Sequence, residues 1–238
     1  MKNKYNSFYF LHIPKTGGSY LKNMILDSLF KIFKNNNVNF INDEYAHIGW
    51  QNLENNYIIS NFRDPVKRTI SHYNFFLKND KKESSIKKDN GLIDWVKQYQ
   101  NFISNYQSKY FIYTKKNLDA QIFSPTFFPG VDSDFSKIIL NKNLVLDRIN
   151  SVNILLKDTQ LNENACNSVV KKILYDFNIN SKIFIDTKKK YNHKVSKNSL
   201  EIYKSLTTKE IDYLYSLNNV DSEIYFSNNL YFNNGKIL

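Results

Sequence analysis

Twice in its N-terminal third the chain runs through the same three-part pattern. The stretch Ser7 to Ile13 (Ser-Phe-Tyr-Phe-Leu-His-Ile) is a short, nearly continuous apolar run of the kind a buried strand requires. Pro14 to Gly18 breaks it, and from Ser19 a helical period takes over, with Leu21, Met24, Ile25, Leu29, Ile32 and Phe33 on one face. Tyr57 to Phe62 is a second such run. It stops at Arg63-Asp64-Pro65, where Pro65 suits the first turn of a helix, and Val66, Ile70, Tyr73 and Leu77 then mark an amphipathic helix. A strand–turn–helix unit repeated with a basic residue at each turn predicts a three-layer α/β fold. Its central sheet is mainly parallel, with helices on both faces.

Further elements follow the same logic. Val38 to Ile41, after the Asn-rich stretch Asn35 to Asn37, and Val152 to Leu156 read as strands. Leu92 to Ile112 reads as a helix, and Val169, Ile173, Leu174 and Phe177 mark another. Thr207 or Thr208 caps a helix through Leu217, with Glu210 at capping-box spacing from Thr207. Lys78 to Asn90, Ser124 to Gly130 and the strongly basic Lys188 to Lys197 read as loops. A length of 238 residues fits a single domain over 1–238, mainly helical from about residue 160 onward.

Composition removes several classes. A chain with 42% hydrophobic and 16% aromatic residues is not of the disordered type. The single cysteine, Cys166, excludes an internal disulfide and a Cys-rich metal site. The apolar stretch Phe8 to Ile13 is too short for a signal peptide, and no run of 18 apolar residues exists, so no membrane span is expected and a cytoplasmic location is the default. The formal net charge of +11 favours anionic partners: nucleotide, nucleic acid, acidic glycan or membrane surface.

The two turns carry the chemistry. In His12-Ile13-Pro14-Lys15-Thr16-Gly17-Gly18-Ser19, adjacent glycines let backbone amides approach a ligand, and the helix N-terminus adds unpaired donors. Lys15 supplies a full charge, and Thr16 and Ser19 add hydroxyls. Such a segment suits a phosphate or a sulfate. It is not a Walker A loop, because Lys15 precedes the glycines. At the second turn, Arg63 stands at the carboxyl end of a strand, where open α/β sheets bind ligands. Ser71 lies about two helical turns further on. A planar charged fork and a hydroxyl suit a second phosphate. Asp64 reads as orienting Arg63 or capping the helix.

Taken together, Pro14 to Ser19 and Arg63 to Ser71 resemble the Golgi-type carbohydrate sulfotransferases, the family of the heparan sulfate 2-O- and 6-O-sulfotransferases and their bacterial relatives. Asn105-Tyr106-Gln107 resembles that family's Asn-x-Gln segment, and Leu206-Thr207 through Asp221 and Tyr225 its closing helix and Asp-x-x-x-Tyr pattern. The resemblance implies a P-loop-like fold and transfer of a sulfuryl group from 3′-phosphoadenosine 5′-phosphosulfate (PAPS) to a hydroxyl, with a carbohydrate as the expected acceptor. By position it implies that Lys15, Thr16, Gly17, Gly18 and Ser19 hold the 5′-phosphosulfate, and Arg63 and Ser71 the 3′-phosphate. No metal is expected, since Lys15 and helix amides supply the positive potential.

Such a reaction needs a base near neutrality, for which histidine is suited. Of four histidines, His12 lies inside the first strand and reads as structural. His72 follows Ser71 on a helix and faces either way. His47, in Tyr45-Ala46-His47-Ile48-Gly49, sits where family members carry a Gly-His segment, with Ala46 in place of the glycine. It is the expected catalytic base, together with Lys15 as the charge stabiliser. His193, beside Lys188, Lys189, Lys190 and Lys194, is the alternative base; that cluster reads as a solvated loop, a flap over the nucleotide, or a docking surface for an anionic acceptor. A nucleotide-dependent kinase lacks a Walker B segment for Mg²⁺ here. A nucleic-acid-binding module leaves both turn motifs unexplained, so no nucleic-acid partner is expected.

Overall fold

Alternation along the first strand divides the core in two. In the computed structural model, which describes residues 5–43, 55–79, 91–113, 133–181 and 197–227, the chain opens with β1 (Ser7–Leu11), α1 (Gly18–Leu21), a π-helical turn Lys22–Leu26 and α2 (Asp27–Asn35). Then come β2 (Asn39–Asp43), β3 (Asn56–Phe62) and α3 (Pro65–Asn79). Shorter helices follow: α4 (Leu92–Gln98), α5 (Gln100–Ile103), α6 (Tyr106–Ile112), α7 (Ser133–Ser136) and α8 (Lys142–Asn150). The chain continues through β4 (Ile154–Lys157), a 3-10 turn Asp158–Gln160, α9 (Glu163–Asp176), α10 (Lys197–Ser205), α11 (Thr208–Leu217) and α12 (Asn219–Phe226).

Among the described residues the sheet has the order β2-β1-β3-β4, and every pairing is parallel. Because successive side chains leave opposite faces of a strand, Phe8 and Phe10 join Tyr57, Ile59, Ile154 and Leu156 in one cluster. Leu21, Ile25, Leu29 and Phe33 of the first helical run, and Val169, Ile173 and Phe177 at α9, close it. Tyr9 and Leu11 join Ile58, Phe62 and Leu155 in the other cluster, covered by Val66 and Ile70 of α3, Trp95, Phe102, Tyr106, Leu214 and Ile224. The protein is thus α/β, with a parallel sheet and helices packed on both of its faces. Among the described residues no helix is long and apolar enough to cross a membrane.

The segment predicted as one helix from Leu92 to Ile112 is three. Periodicity is blind to the breaks because all three pieces face the same core. The decisive break is Asn105, whose φ of 44° is left-handed, a conformation that asparagine tolerates better than most residues. Its backbone N–H donates to Asn218 Oδ1, while its own Oδ1 accepts from the N–H groups of Val220 and Asp221. The strand expected from Val152 begins at Ile154 instead, since the Val152 N–H still bonds back to Ile149 at the end of α8. Thr207 is the N-cap of α11: its hydroxyl accepts from the Glu210 N–H and the Glu210 carboxylate accepts from the Thr207 N–H. Of the loops expected from sequence, Ser124 to Gly130 and nearly all of Lys188 to Lys197 lie outside the described residues, as does Lys78 to Asn90 apart from the end of α3.

Candidate functional site

β1 delivers the first motif at its carboxyl end. Two left-handed residues, Lys15 at φ 68° and Gly17 at φ 102°, fold the chain tightly there. A non-glycine residue in this region costs roughly 1 kcal/mol or more, so the surroundings must hold Lys15 in place. They do. Thr16 is fully buried and its hydroxyl donates to the Ile13 carbonyl at 2.7 Å, so the hydroxyl hydrogen is spent inside the loop. Asn61 Nδ2 on β3 donates to the Thr16 carbonyl at 2.7 Å. The N–H groups of Tyr20 and Leu21 turn back onto the Gly17 carbonyl, which starts the helix, and Ser19 is exposed at its first turn. A Cβ on Gly18 would lie 2.0 Å from Cδ2 and Nε2 of the His12 ring. That ring is buried and stacked on Phe10, so only glycine lets the helix begin so close to the strand.

His12 is therefore the floor of the loop. Burial, helped by the charges of Lys22 and Lys15, lowers its pKa to about 4, and the native ring is neutral. In the unfolded chain it takes up a proton near the ordinary value of about 6.5. Between those two values the unfolded state binds more protons, so native stability is lost as pH falls through the window, by about 3 kcal/mol in total. Urea unfolding is expected to record part of this loss already between about pH 6.5 and 5, above the range where most carboxylates titrate. A His12→Asn variant is expected to flatten that limb, and a wild-type profile flat in this interval would contradict the assignment.

β3 delivers the second motif beside the first. Arg63 Nη1 donates to the carbonyl of Lys15 at 3.1 Å, which ties the two turns together. Arg63 Nε stands 3.7 Å from Asp158 Oδ2, where β4 ends, with side-chain exposures of 15% and 14%. Burial lowers the Arg63 pKa, opposed by Asp158, Asp64 and Tyr225. Beyond the strand end, Gln107 takes the place of a strand partner: its Oε1 accepts from the Arg63 N–H at 2.8 Å and its Nε2 donates to the Arg63 carbonyl at 2.9 Å. Asp64 caps α3 by accepting from the Lys67 N–H, and its other oxygen accepts from the Tyr215 hydroxyl at 2.9 Å.

Lys67, Ser71 and Phe75 are spaced at i, i+4 and i+8 along α3 and form its less buried stripe. The Lys15 ammonium lies 4.5 Å from the centroid of the Phe75 ring. This places the stripe that carries Ser71 next to the first loop. His72 is on the neighbouring, buried face: fully buried among Trp95, Phe102 and Tyr106, with Nδ1 3.0 Å from Arg68 Nη1. It is closed off from solvent. His47, His193 and the cluster Lys188 to Lys194 lie outside the described residues.

Two residues at this site had no part in the sequence reading. Asp158 stands just past a strand end, but behind Lys157, which is the charged residue that directly follows the apolar run. Tyr215 carries no signal, because a half-buried tyrosine on a helix is indistinguishable from a packing residue. Gln107, Asp221 and Tyr225, flagged by resemblance alone, acquire physical roles. Asp221 is fully buried and accepts from the N–H groups of Gln107 and Ser108 at 3.0 and 2.8 Å. Tyr225 donates to Asp158 Oδ1 at 2.8 Å. The carboxyl ends of β1 and β3 thus gather Lys15, Arg63 and the Gly17–Gly18 backbone on one edge, with Asp64 and Asp158 beside Arg63. Among the described residues no group of three or more His, Cys, Asp or Glu forms a metal site. Comparison of the chain with protein-family models, with curated proteins and with solved structures finds no match.

Proposed function

We propose that the protein is a PAPS-dependent sulfotransferase of the P-loop-like type that sulfates a hydroxyl, with a carbohydrate as the favoured acceptor. The observation that carries this reading is the Arg63–Lys15 hydrogen bond, which brings both strand-end motifs to one edge. A ligand bearing two separate anionic groups can then span them. Lys15 and the amides at Gly17, Gly18 and Ser19 meet the 5′-phosphosulfate, with Thr16 holding the loop closed. Arg63 and Ser71 meet the 3′-phosphate. The acceptor oxygen attacks sulfur in line, the bond from sulfur to the bridging oxygen breaks, and the electron pair leaves on the 5′-phosphate. Lys15 stabilises that charge. His47 is assigned to take the proton of the acceptor hydroxyl. The products are a sulfate ester and adenosine 3′,5′-bisphosphate.

A kinase reading is less well supported. The carboxylate within the second motif, Asp64, has both oxygens engaged, by the Lys67 N–H and by Tyr215, and Asp158 beside the motif is held by Tyr225 and faces Arg63.

Calorimetry tests the nucleotide reading. Charge-assisted hydrogen bonds contribute about 1.5–3 kcal/mol each, so adenosine 3′,5′-bisphosphate is expected to bind at least about tenfold more tightly than AMP. Equal affinities would remove the 3′-phosphate assignment.

A further inference from the structure

The contact between Arg63 and Asp158 is an unfinished one. At 3.7 Å it lies within ion-pair range but beyond hydrogen-bonding range. A guanidinium carries five N–H donors, and Arg63 Nη1 is engaged by the Lys15 carbonyl. The other oxygen of Asp158 is engaged: Oδ1 accepts from the Tyr225 hydroxyl at 2.8 Å.

Neither partner is free to drift as a whole. The backbone at Asp158 is fixed by the Lys157 N–H on Gln160 Oε1 and by the Leu161 N–H on the Asp158 carbonyl. Tyr225 is buried on α12, with its ring near the Lys157 ammonium and Phe226. Only side-chain rotation is left to Asp158. Turning toward Arg63 would give up the Tyr225 bond in exchange for a charge-assisted one.

We propose that Asp158 is a restrained counter-charge for Arg63, and that the Tyr225 hydroxyl keeps it from closing on the guanidinium, so that Arg63 remains available to a phosphate. Tyr225 is then a positioning residue, and Asp158 determines how strongly the site takes a 3′-phosphate. The inference rests on the assignment of Arg63 to that phosphate. Without the hydroxyl, Asp158 recovers its lost bond by pairing with Arg63, and an incoming phosphate must displace a carboxylate. A ligand with a plain 3′-hydroxyl makes no such demand.

The test measures affinities of the full chain for adenosine 3′,5′-bisphosphate and for AMP, in the wild type, Tyr225→Phe, Asp158→Asn and the double variant. Tyr225→Phe is expected to weaken bisphosphate binding by about tenfold, the equivalent of one charge-assisted hydrogen bond, and to leave AMP unchanged. Asp158→Asn is expected to bind the bisphosphate at least as tightly as the wild type. The double variant is expected to match Asp158→Asn, because the tyrosine acts only through the carboxylate. Tyr225→Phe weakening both nucleotides alike, or keeping its effect without Asp158, would make Tyr225 a packing residue and overturn the proposal. So would weaker bisphosphate binding by Asp158→Asn, an arm that stands even if Tyr225→Phe folds poorly. A wild type that does not prefer the bisphosphate to AMP fails the nucleotide reading itself, and this inference falls with it.

Discussion

On the proposed sulfotransferase reading, replacing Lys15 by alanine is expected to slow sulfuryl transfer by about 10²–10³, the usual effect of removing one preorganised charge stabiliser, while affinity for adenosine 3′,5′-bisphosphate falls far less. The asymmetry follows from where charge develops. In the substrate, the negative charge is spread over the sulfonate and phosphate oxygens. As the bond to sulfur breaks, it concentrates on the bridging oxygen, and only the transition state draws the full benefit of a nearby ammonium. Lys15 sits in a left-handed conformation, with its carbonyl held by Arg63 and its ammonium over Phe75. Transfer of labelled sulfuryl groups from PAPS to a panel of acceptors, set beside calorimetry of the bisphosphate, separates the two quantities. Collapsed nucleotide affinity with unchanged turnover would make Lys15 a ground-state anchor instead.

Asp221→Ala is expected to cost about 3–5 kcal/mol of stability, because it strands several buried donors at about 1–3 kcal/mol each. The carboxylate accepts from the N–H groups of Gln107 and Ser108 and from the Ser108 hydroxyl, with no exposure to water. Burial raises its pKa, and those hydrogen bonds together with the charge of Arg68 oppose the rise. Asp221→Asn keeps one acceptor oxygen and is expected to lose roughly half as much. Urea unfolding at neutral pH reads both values, and a loss below about 1 kcal/mol in the alanine variant would mean that water replaces the carboxylate. Gln107, whose side chain pairs with the Arg63 backbone, is the next link in the chain, so the alanine variant is also expected to loosen Arg63.

The sheet was legible because its signals are local. Ser7 to Leu11 and Tyr57 to Phe62 announce buried parallel strands by being apolar on both faces, and Pro14, Gly17 and Pro65 mark where they must turn. Thr207 and Glu210 announce a helix start by chemistry confined to four residues. The break at Asn105 was not legible, since its left-handed turn is held by Asn218 and by backbone groups of α12. At the site, Lys15, Gly17, Gly18 and Arg63 stood out because strand ends are where charge and glycine are conspicuous. Tyr215 and the carboxylate of Asp158 did not. What makes them matter is a partner distant in sequence, and periodicity carries no information about such partners.

That distance has a consequence for how the protein is made. The hydrogen bond from Tyr215 to Asp64 spans 151 positions, and the bonds from Gln107 and Ser108 to Asp221 span 114 and 113. A nascent chain emerging from the ribosome has β1, β2 and β3 long before it has any of these partners. Contacts of such separation form late and slowly, since loop closure must precede their reward. The edge that carries Lys15 and Arg63 is therefore expected to be among the last parts of the molecule to become rigid. Until α11 and α12 dock, Asp64 lacks Tyr215 and the Gln107–Ser108 backbone lacks Asp221, so Arg63 stands without the contacts that align it.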